Sequence, residues 1–323
     1  MKLTVLATRI VGCVFAVLAL SAHAQKYPNK PINFIVPYPP GGIADTYARA
    51  LGQRLSDRLG QPVIMDNKPG GSLIVGTQAA AKAAPDGYTL LLASVSSLAI
   101  NTSAFKTLPY DPVKDFAPVS LAFYTPLYLM VNPNLPVKSV KDLVALAKSQ
   151  PGKMSFASLG HGTSLHLAGE MFKNLAGIDL LHVPFKGTTT ALPDLLEGRV
   201  DMIFDGGAFL PHAAAGKLRL LGVTSPVRAS ALPQVATMAE SGVPGYDLVI
   251  WFGVVAPAGT PRAIVDRLTA EINEIAKEPG YKERLTSSGA EPIGTTPEAF
   301  SQLIAKDTPK WGKLLRDAGI QPR

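Results

Sequence analysis

The sequence predicts an α/β protein with two lobes, built on mostly parallel sheets flanked by helices. Short apolar runs alternate with helix-patterned segments along nearly the whole chain, which is typical of such sheets. Two long extended stretches, around Thr125 and from Leu248 to Pro257, suit a chain that passes to a second lobe and returns. The 323 residues, 47% of them hydrophobic, are enough for two cores. The expected ranges are 25–124 plus 249–323 for lobe one and 125–248 for lobe two.

Ten strands and six helices are expected in chain order. The predicted strands are Ile32–Val36, Val63–Met65, Thr89–Ala93, Val119–Phe123, Leu127–Val131, Met154–Ala157, Leu180–Val183, Met202–Phe204, Leu218–Val223 and Leu248–Val255. The predicted helices are Ala44–Leu59, Val75–Ala83, Val140–Lys148, Ser164–Leu175, Pro261–Lys277 and Pro297–Ala318. Thr260 before Pro261 and Thr296 before Pro297 each predict an N-cap and a first helical residue. Pro193 leaves the start of a helix over Leu192–Glu197 undefined, and Pro309 predicts a kink in the last helix.

The first 24 residues have the pattern of a secretory signal peptide. Lys2 and Arg9 precede the apolar run Ile10–Leu20, and Ala22-His23-Ala24 forms an A-x-A cleavage site. The run is too short for a membrane-spanning helix. The sequence therefore predicts export to the periplasm with cleavage after Ala24. A lipoprotein is the alternative, although Cys13 lies inside the apolar run rather than at its end.

Composition excludes two classes of protein. The mature chain, Gln25 to Arg323, would contain no cysteine, so its stability must come from a core rather than from disulfides. Its net charge would be +5, because removal of Lys2 and Arg9 subtracts two from +7. The positive residues are scattered, which argues against nucleic-acid binding. A mildly positive surface favours small anions weakly.

The stretch "PYPPGGIAD" at 37–45 joins a predicted strand to a predicted helix. Gly41 and Gly42 have no side chains, so their N–H groups can approach a ligand closely. They precede a helix N-terminus, where unpaired N–H groups and the helix dipole favour an anion. Asp45 either caps that helix or holds a water molecule. A plain turn between strand and helix explains the residues equally well.

Two further glycine-rich loops occupy the same position between a strand and a helix. Gly71 and Gly76 have the spacing of a P-loop, but the phosphate-binding lysine is missing before Thr77, so nucleotide binding is rejected. The loop at 158–166 offers two glycines, three hydroxyls and the N–H groups of a helix start, which makes it the best carboxylate site in the chain. Ordinary helix capping, with His166 packed against the sheet, is its alternative.

Catalytic and metal-binding patterns are weak. His166 and Glu170 lie four residues apart, but there is no H-E-x-x-H motif and no cysteine pair, so zinc is not expected. No G-x-S-x-G nucleophile elbow is present. Asp201 and Asp205 flank a short apolar strand. Either one of them is a pocket acid and the other a turn residue, or both are solvated strand ends.

Seven stretches, in their order and spacing, resemble the Bug-type periplasmic receptors of tripartite tricarboxylate transporters. They are "PYPPGGIADTYAR" (37–49), "NKPGGSLIVGT" (67–77), "PDGYTLLLAS" (85–94), "YDPVKDFAPVS" (110–120), "GHGTSLHLAGEMF" (160–172), "HVPFKGTTTALPDLLEGRVDMIFD" (182–205) and "WFGVVAPAGTPRAIVDRL" (251–268). The resemblance implies a type II Venus-flytrap receptor that binds without catalysis. No cofactor or metal is expected from the sequence motifs, and a monomer is expected because no surplus amphipathic helix indicates an interface. It implies that a small organic carboxylate is held between the lobes and delivered to membrane permease subunits.

By position, the resemblance implies which residues bind the ligand. They are Tyr38, Pro40, Gly41, Gly42, Asp45 (through water), Gly71, Ser72, Ser94 and Ser96 in lobe one, and Ser158, Gly160, Thr163, Ser164, His166, Phe185, Gly187 and Asp205 in lobe two, with Lys186 nearby. Two residues depart from the family pattern: Leu73 stands where glycine is frequent, and Phe185 where tyrosine is frequent. Both favour an apolar or aromatic carboxylate over a short polar one. The alternatives are a sensory receptor with a signalling partner and a secreted hydrolase on a similar frame.

Overall fold

The computed structural model describes residues 27–323, and its strands form two separate sheets. The first sheet has the order β11-β4-β10-β3-β1-β2 and the second has the order β7-β6-β8-β5-β9. Strands of the first sheet are β1 (Ile32–Val36), β2 (Val63–Asn67), β3 (Thr89–Ser94), β4 (Phe116–Pro126), β10 (Val249–Pro257) and β11 (Glu291–Pro292). Strands of the second are β5 (Tyr128–Val131), β6 (Ser155–Ser158), β7 (Leu181–Pro184), β8 (Met202–Asp205) and β9 (Arg219–Val223). The predicted signal peptide lies outside the described residues.

The two-lobe α/β class is confirmed, but the sheets are mixed rather than mostly parallel. Four strand pairings are parallel and five are antiparallel. The reason lies in the crossings, because β10 returns from the second lobe and runs antiparallel to β3 and β4. Likewise β5 enters the second lobe antiparallel to β8 and β9. The residue ranges assigned to the lobes stay a prediction.

Ten α-helices flank the sheets in the described part of the chain. They are α1 (Ile43–Leu59), α2 (Ile74–Ala81), α3 (Asn101–Ala104), α4 (Val140–Ser149), α5 (Ser164–Ala176), α6 (Thr188–Leu196), α7 (Leu210–Ala214), α8 (Arg262–Ile275), α9 (Pro279–Thr286) and α10 (Pro297–Asp317), with a π-helical turn at Ser96–Ile100. In α1, Tyr47, Leu51 and Leu55 are buried at helical spacing, which fixes the helix against the first lobe's core. No helix among residues 27–323 has the length and apolar character needed to cross a membrane.

Of the two N-caps predicted from the sequence, Thr296 is confirmed and Thr260 is wrong. Thr296 caps α10, since its side chain accepts a hydrogen bond from the N–H of Ala299. Thr260 does not cap α8: its hydroxyl donates to the carbonyl of Pro257 at 2.7 Å, and the helix begins one residue later than predicted. The helix around Pro193 begins earlier than its predicted core, at Thr188. Helices α3, α7 and α9 were not predicted, because helices this short show little apolar periodicity.

Candidate functional site

A small cavity of about 30 Å³ lies between the lobes, where the loops after β1, β6 and β8 meet the crossing strands. This space is sufficient for about one or two water molecules. Its walls are mostly apolar, and the apolar side chains are Tyr38, Pro39, Ile43, Leu127, Leu159, Leu165, Ile250 and Phe252. Three polar side chains, Ser164, Thr188 and Asp205, complete the lining with the small residues Gly42, Ala44 and Gly206. Among the residues that line it, none is Lys, Arg or His.

Residues from two helix N-termini, Gly42 at one and Thr188 at the other, line this cavity. Gly42 caps α1 and Gly187 caps α6, and neither helix has a side-chain cap. A Cβ atom at Gly42 would lie 3.6 Å from the Oγ1 of Thr188, so the helix starts of the two lobes are in contact distance. Uncapped first-turn N–H groups and two converging dipoles favour an anion. The arrangement can therefore receive a carboxylate without a cationic side chain.

A hydroxyl network connects the lobes beside the cavity. The buried Tyr38 hydroxyl donates to the Oγ of Ser94 at 2.9 Å. Burial raises the pKa of Tyr38 above its ordinary value, so it remains a neutral donor. Ser96 of lobe one accepts a hydrogen bond from the N–H of Ser164 at 3.0 Å, at the start of α5 in lobe two. Ser96 and Ser164 therefore bridge the two lobes.

Asp45 is hydrogen-bonded within the loop at 37–45 and does not line the cavity. Its Oδ2 accepts the N–H of Gly41 at 2.9 Å and the Nε of Arg49 at 2.9 Å. Its Oδ1 accepts the Nδ2 of Asn67 at 2.8 Å. Burial alone would raise the pKa of Asp45, but hydrogen bonds from Arg49, Gly41 and Asn67 outweigh it and lower the pKa below its ordinary value. Asp45 therefore shapes the glycine loop as an anion.

Asp205 lies at the end of β8 and is fully buried in the cavity wall. Its Oδ1 accepts the N–H groups of Gly207 at 2.9 Å and Phe209 at 3.0 Å. Among the described residues, its Oδ2 accepts no hydrogen bond of ordinary geometry, although the Thr188 hydroxyl lies close enough to the carboxyl to favour its charged form. Burial raises the pKa of Asp205, and the hydrogen bonds from Phe209 and Gly207 offset this only in part. Asp201, at the other end of the strand, instead accepts the N–H of Ser155 at 2.7 Å.

His166 points away from the cavity. Its ring stacks on His182 with centroids 3.9 Å apart, and its Nδ1 accepts the N–H of Gly162 at 3.1 Å. It lines a separate pocket beside the C-terminal residues 318–323. Burial, and then the neighbouring His182, lowers the pKa of His166 to about 3, and burial lowers that of His182 to about 4. The stacked histidines are thus neutral at ordinary pH, and they stabilise the loop at 158–166.

The structure brings four of the predicted residues to the cavity wall, namely Tyr38, Gly42, Ser164 and Asp205. Others lie at the contact between lobes: Ser72 opposite Gly160, Gly187 against Pro39, and Pro40, whose carbonyl accepts the Thr189 hydroxyl at 3.4 Å. Gly41 lines a wider groove that opens to solvent. The remaining predicted residues, Gly71, Ser94, Ser96, Ser158, Thr163 and Phe185, do not line the cavity.

Several of those remaining residues have clear structural partners. Thr163 caps α5 by accepting the N–H of His166. The Oγ of Ser158 is hydrogen-bonded to the Nε2 of His182 at 2.5 Å. Phe185 packs against the second lobe's core. Its side chain does not line the cavity, so it does not form the ligand contact considered for this position.

Sequence reasoning missed most of the apolar wall. Ile250 and Phe252 lie on β10, and Leu127 on the other crossing between lobes. The crossings themselves were visible as extended apolar stretches, and they were the signal that could have located these residues. Thr188 was missed because Pro193 left the start of α6 undefined in the sequence. Among residues 27–323, no group of three or more His, Cys, Asp or Glu is placed to hold a metal ion.

Two lobes around an anion-receptive cavity define a solute-binding protein of the Venus-flytrap class. A family model described as "Tripartite tricarboxylate transporter family receptor" matches residues 47–320. The chain belongs to this family, and the resemblance seen in its loops is confirmed. It is 38% identical to Protein BugT of Bordetella pertussis over 316 residues, covering 97% of each chain.

Two solved structures of this kind contain carboxylates. One is an R. palustris protein with adipate, which has a TM-score of 0.90 and 36% identity and covers 92% of this chain and 100% of its own. The other is MatC from Rhodopseudomonas palustris with bound malate, with a TM-score of 0.84 and 30% identity, covering 90% of this chain and 100% of its own. The chain is therefore similar to receptors that bind carboxylates of different length and polarity.

Proposed function

We propose that this protein is an exported receptor that closes its two lobes on a small organic carboxylate with an apolar body and delivers it to a membrane permease of the tripartite tricarboxylate type. The observation that supports this most is the pair of uncapped helix N-termini, at Gly42 and Gly187, that converge on a cavity without any cationic side chain. They can hold one carboxylate through backbone N–H groups. The chain would enter the periplasm after cleavage following Ala24 and would act without catalysis.

The apolar wall supports an acid with a hydrocarbon body. Eight of the residues that line the cavity present apolar side chains, including Phe252 and Ile250 from the crossing strand. A short polar acid would leave this surface in contact with water, whereas an aliphatic or aromatic body would cover it. Closure around the acid would then present a changed surface to the permease.

Native mass spectrometry of the mature protein, purified without added acid and then denatured, tests the proposal. We expect release of a mono- or dicarboxylate with an aliphatic or aromatic body. If the protein is empty, a thermal-shift screen with adipate, malate, benzoate and longer dicarboxylates follows, and apolar-bodied acids should raise the melting temperature most. A screen in which no acid raises it would overturn the proposal, and substrate turnover would be tested next.

A further inference from the structure

We propose that Asp205 is a specificity-determining residue that binds the ligand carboxylate through a single shared proton, so that capture of one acid molecule takes up one proton. This inference rests on the proposed function, because it assumes that a carboxylate occupies the cavity between the lobes. It assigns to Asp205 a direct hydrogen bond to the ligand. It also predicts proton uptake on binding, which backbone N–H groups alone would not produce.

The geometry of Asp205 leaves one oxygen for the ligand. The side chain has no solvent exposure, and its Oδ1 is saturated by the N–H groups of Gly207 and Phe209. Within the described residues its Oδ2 forms no hydrogen bond of ordinary geometry, and the Thr188 hydroxyl near this carboxyl also lines the cavity. A buried polar atom without a partner loses the hydrogen bonds that water would give it, so it destabilises the folded protein. Because Asp205 belongs to the cavity wall, a molecule in the cavity is the partner that this oxygen lacks.

Within residues 27–323, no cationic side chain lines the cavity wall to which Asp205 belongs. The titratable groups on the elements packed around it are Tyr128 on β5, which is its register partner, Tyr47 on α1 and His166 on α5. Tyr128 donates to the carbonyl of Ser288 at 3.0 Å, and His166 stacks on His182 outside the cavity. Arg284 faces Tyr47 from the wider groove and is not a cavity-lining residue.

Two carboxylates in one small enclosed site do not both stay ionised, since like charges at short range raise the pKa of one of them. The ligand carboxylate is stabilised as an anion by the helix N-termini at Gly42 and Gly187. Asp205 is the weaker anion, because burial already raises its pKa. The proton therefore resides on Oδ2 and is donated to a ligand oxygen as a short O–H···O⁻ hydrogen bond.

The sign of the pH dependence follows. The binding-competent form has Asp205 protonated, so affinity is full below the pKa of the Asp205–ligand pair and falls as pH rises through it. Above that value the affinity is expected to fall up to about tenfold per pH unit, which corresponds to uptake of one proton. A receptor that used ionised Asp205 to accept a hydroxyl or ammonium group would show no such loss.

The experiment is isothermal titration calorimetry with adipate and benzoate at pH 5.5, 6.5 and 7.5, in two buffers of different ionisation enthalpy. The wild-type protein should take up about one proton per acid bound wherever its affinity falls with pH. Asp205→Asn keeps the Oδ1 acceptor and supplies a permanent N–H donor in place of the shared proton. This variant should bind with an affinity that no longer varies with pH and with no proton uptake beyond that of the acid itself.

Asp201→Asn is the matched control, because it removes an aspartate from the other end of the same strand, outside the cavity. It should retain the wild-type proton uptake, and thermal melts should verify that both variants fold. Zero uptake by the wild type, or uptake that persists in Asp205→Asn, would overturn the inference.

Failure of both acids to bind would count against the proposed acid class instead. The inference is then decided by ¹³C NMR titration of the Asp205 carboxyl in the unliganded protein. A midpoint above that of ordinary aspartates supports it, and a midpoint at or below that value overturns it.

Discussion

Replacing Gly187 with alanine tests whether the lobes must approach as closely as the structure shows. A Cβ atom at this position would lie 1.9 Å from the Cγ and 2.4 Å from the Cδ of Pro39 in the opposite lobe. Gly187 has φ −175°, an extended conformation that alanine adopts without strain. The substitution therefore acts on the contact between lobes and leaves the backbone of each lobe unstrained.

The magnitude follows from the overlap. Ordinary contacts begin at 3.4 Å, so Gly187 and Pro39 must separate by 3.4 − 1.9 = 1.5 Å. The Pro39 ring is bonded to its own backbone and cannot rotate away. Overpacking of this kind costs about 1–3 kcal/mol, which corresponds to a loss of about 5- to 150-fold in affinity when closure is required for binding.

Small-angle X-ray scattering and calorimetry measure the two consequences. We expect Gly187→Ala to scatter as a more open molecule than the wild type and to bind adipate, or the acid identified by mass spectrometry, more weakly. Gly280→Ala is the matched control, since a Cβ atom there meets only Arg54 at 3.7 Å, within the first lobe. If Gly187→Ala binds as tightly and scatters as compactly as the wild type, this close contact is not part of the ligand-holding state.

Three further substitutions test the loops around the cavity. Ser72 has φ 54° in the left-handed region, so Ser72→Gly should stabilise the protein by about 1 kcal/mol in urea unfolding; an unchanged midpoint would show that the strain is absent. Asp45→Asn should destabilise it by about 1–3 kcal/mol, because an amide cannot accept all three hydrogen bonds of the carboxylate, and equal stability would contradict the assigned network. The pKa values of His166 and His182 are lowered to about 3 and about 4, so stability should be full above pH 6.5 and fall below it, by at most about 1.4 kcal/mol per pH unit for each ring. His166→Asn should flatten that fall, and a wild-type stability that is constant from pH 7.5 to 5 would refute the neutral stack.

The alternation of strands and helices and the loops between them were predictable from local sequence, but the cavity wall was not. The loop after β1 was located from its glycines, and Gly42 does line the cavity. Phe252 was missed because its side-chain direction depends on register, and β10 shifts register against β4 directly after Phe252. A one-residue shift moves a side chain to the opposite face of a sheet. Local sequence contains no information on such a shift.

His166 shows the corresponding limit for helices. Its position two residues into α5 was predicted from the helix boundary, but the rotation of that helix about its axis is set by packing. Phe156 on β6 stacks on the histidine ring and holds it on the side away from the cavity. Proximity in sequence to a helix N-terminus therefore identifies the backbone N–H groups that face a ligand, and it does not identify which side chains do so.

Ligand choice in this protein should depend on the wall rather than on the anion site. The N–H groups at Gly42 and Gly187 offer the same donors to any carboxylate, and such donors discriminate little between acids. Under the proposed function, Phe252, Ile250 and Leu127 would contact the rest of the ligand, and they come from the two crossings that also connect the lobes. A change of volume at these positions alters both the shape of the cavity and the packing that accompanies closure. Under the proposed function, receptors with the same loops could therefore hold different acids, because the residues that would select the acid lie on the strands that connect the lobes.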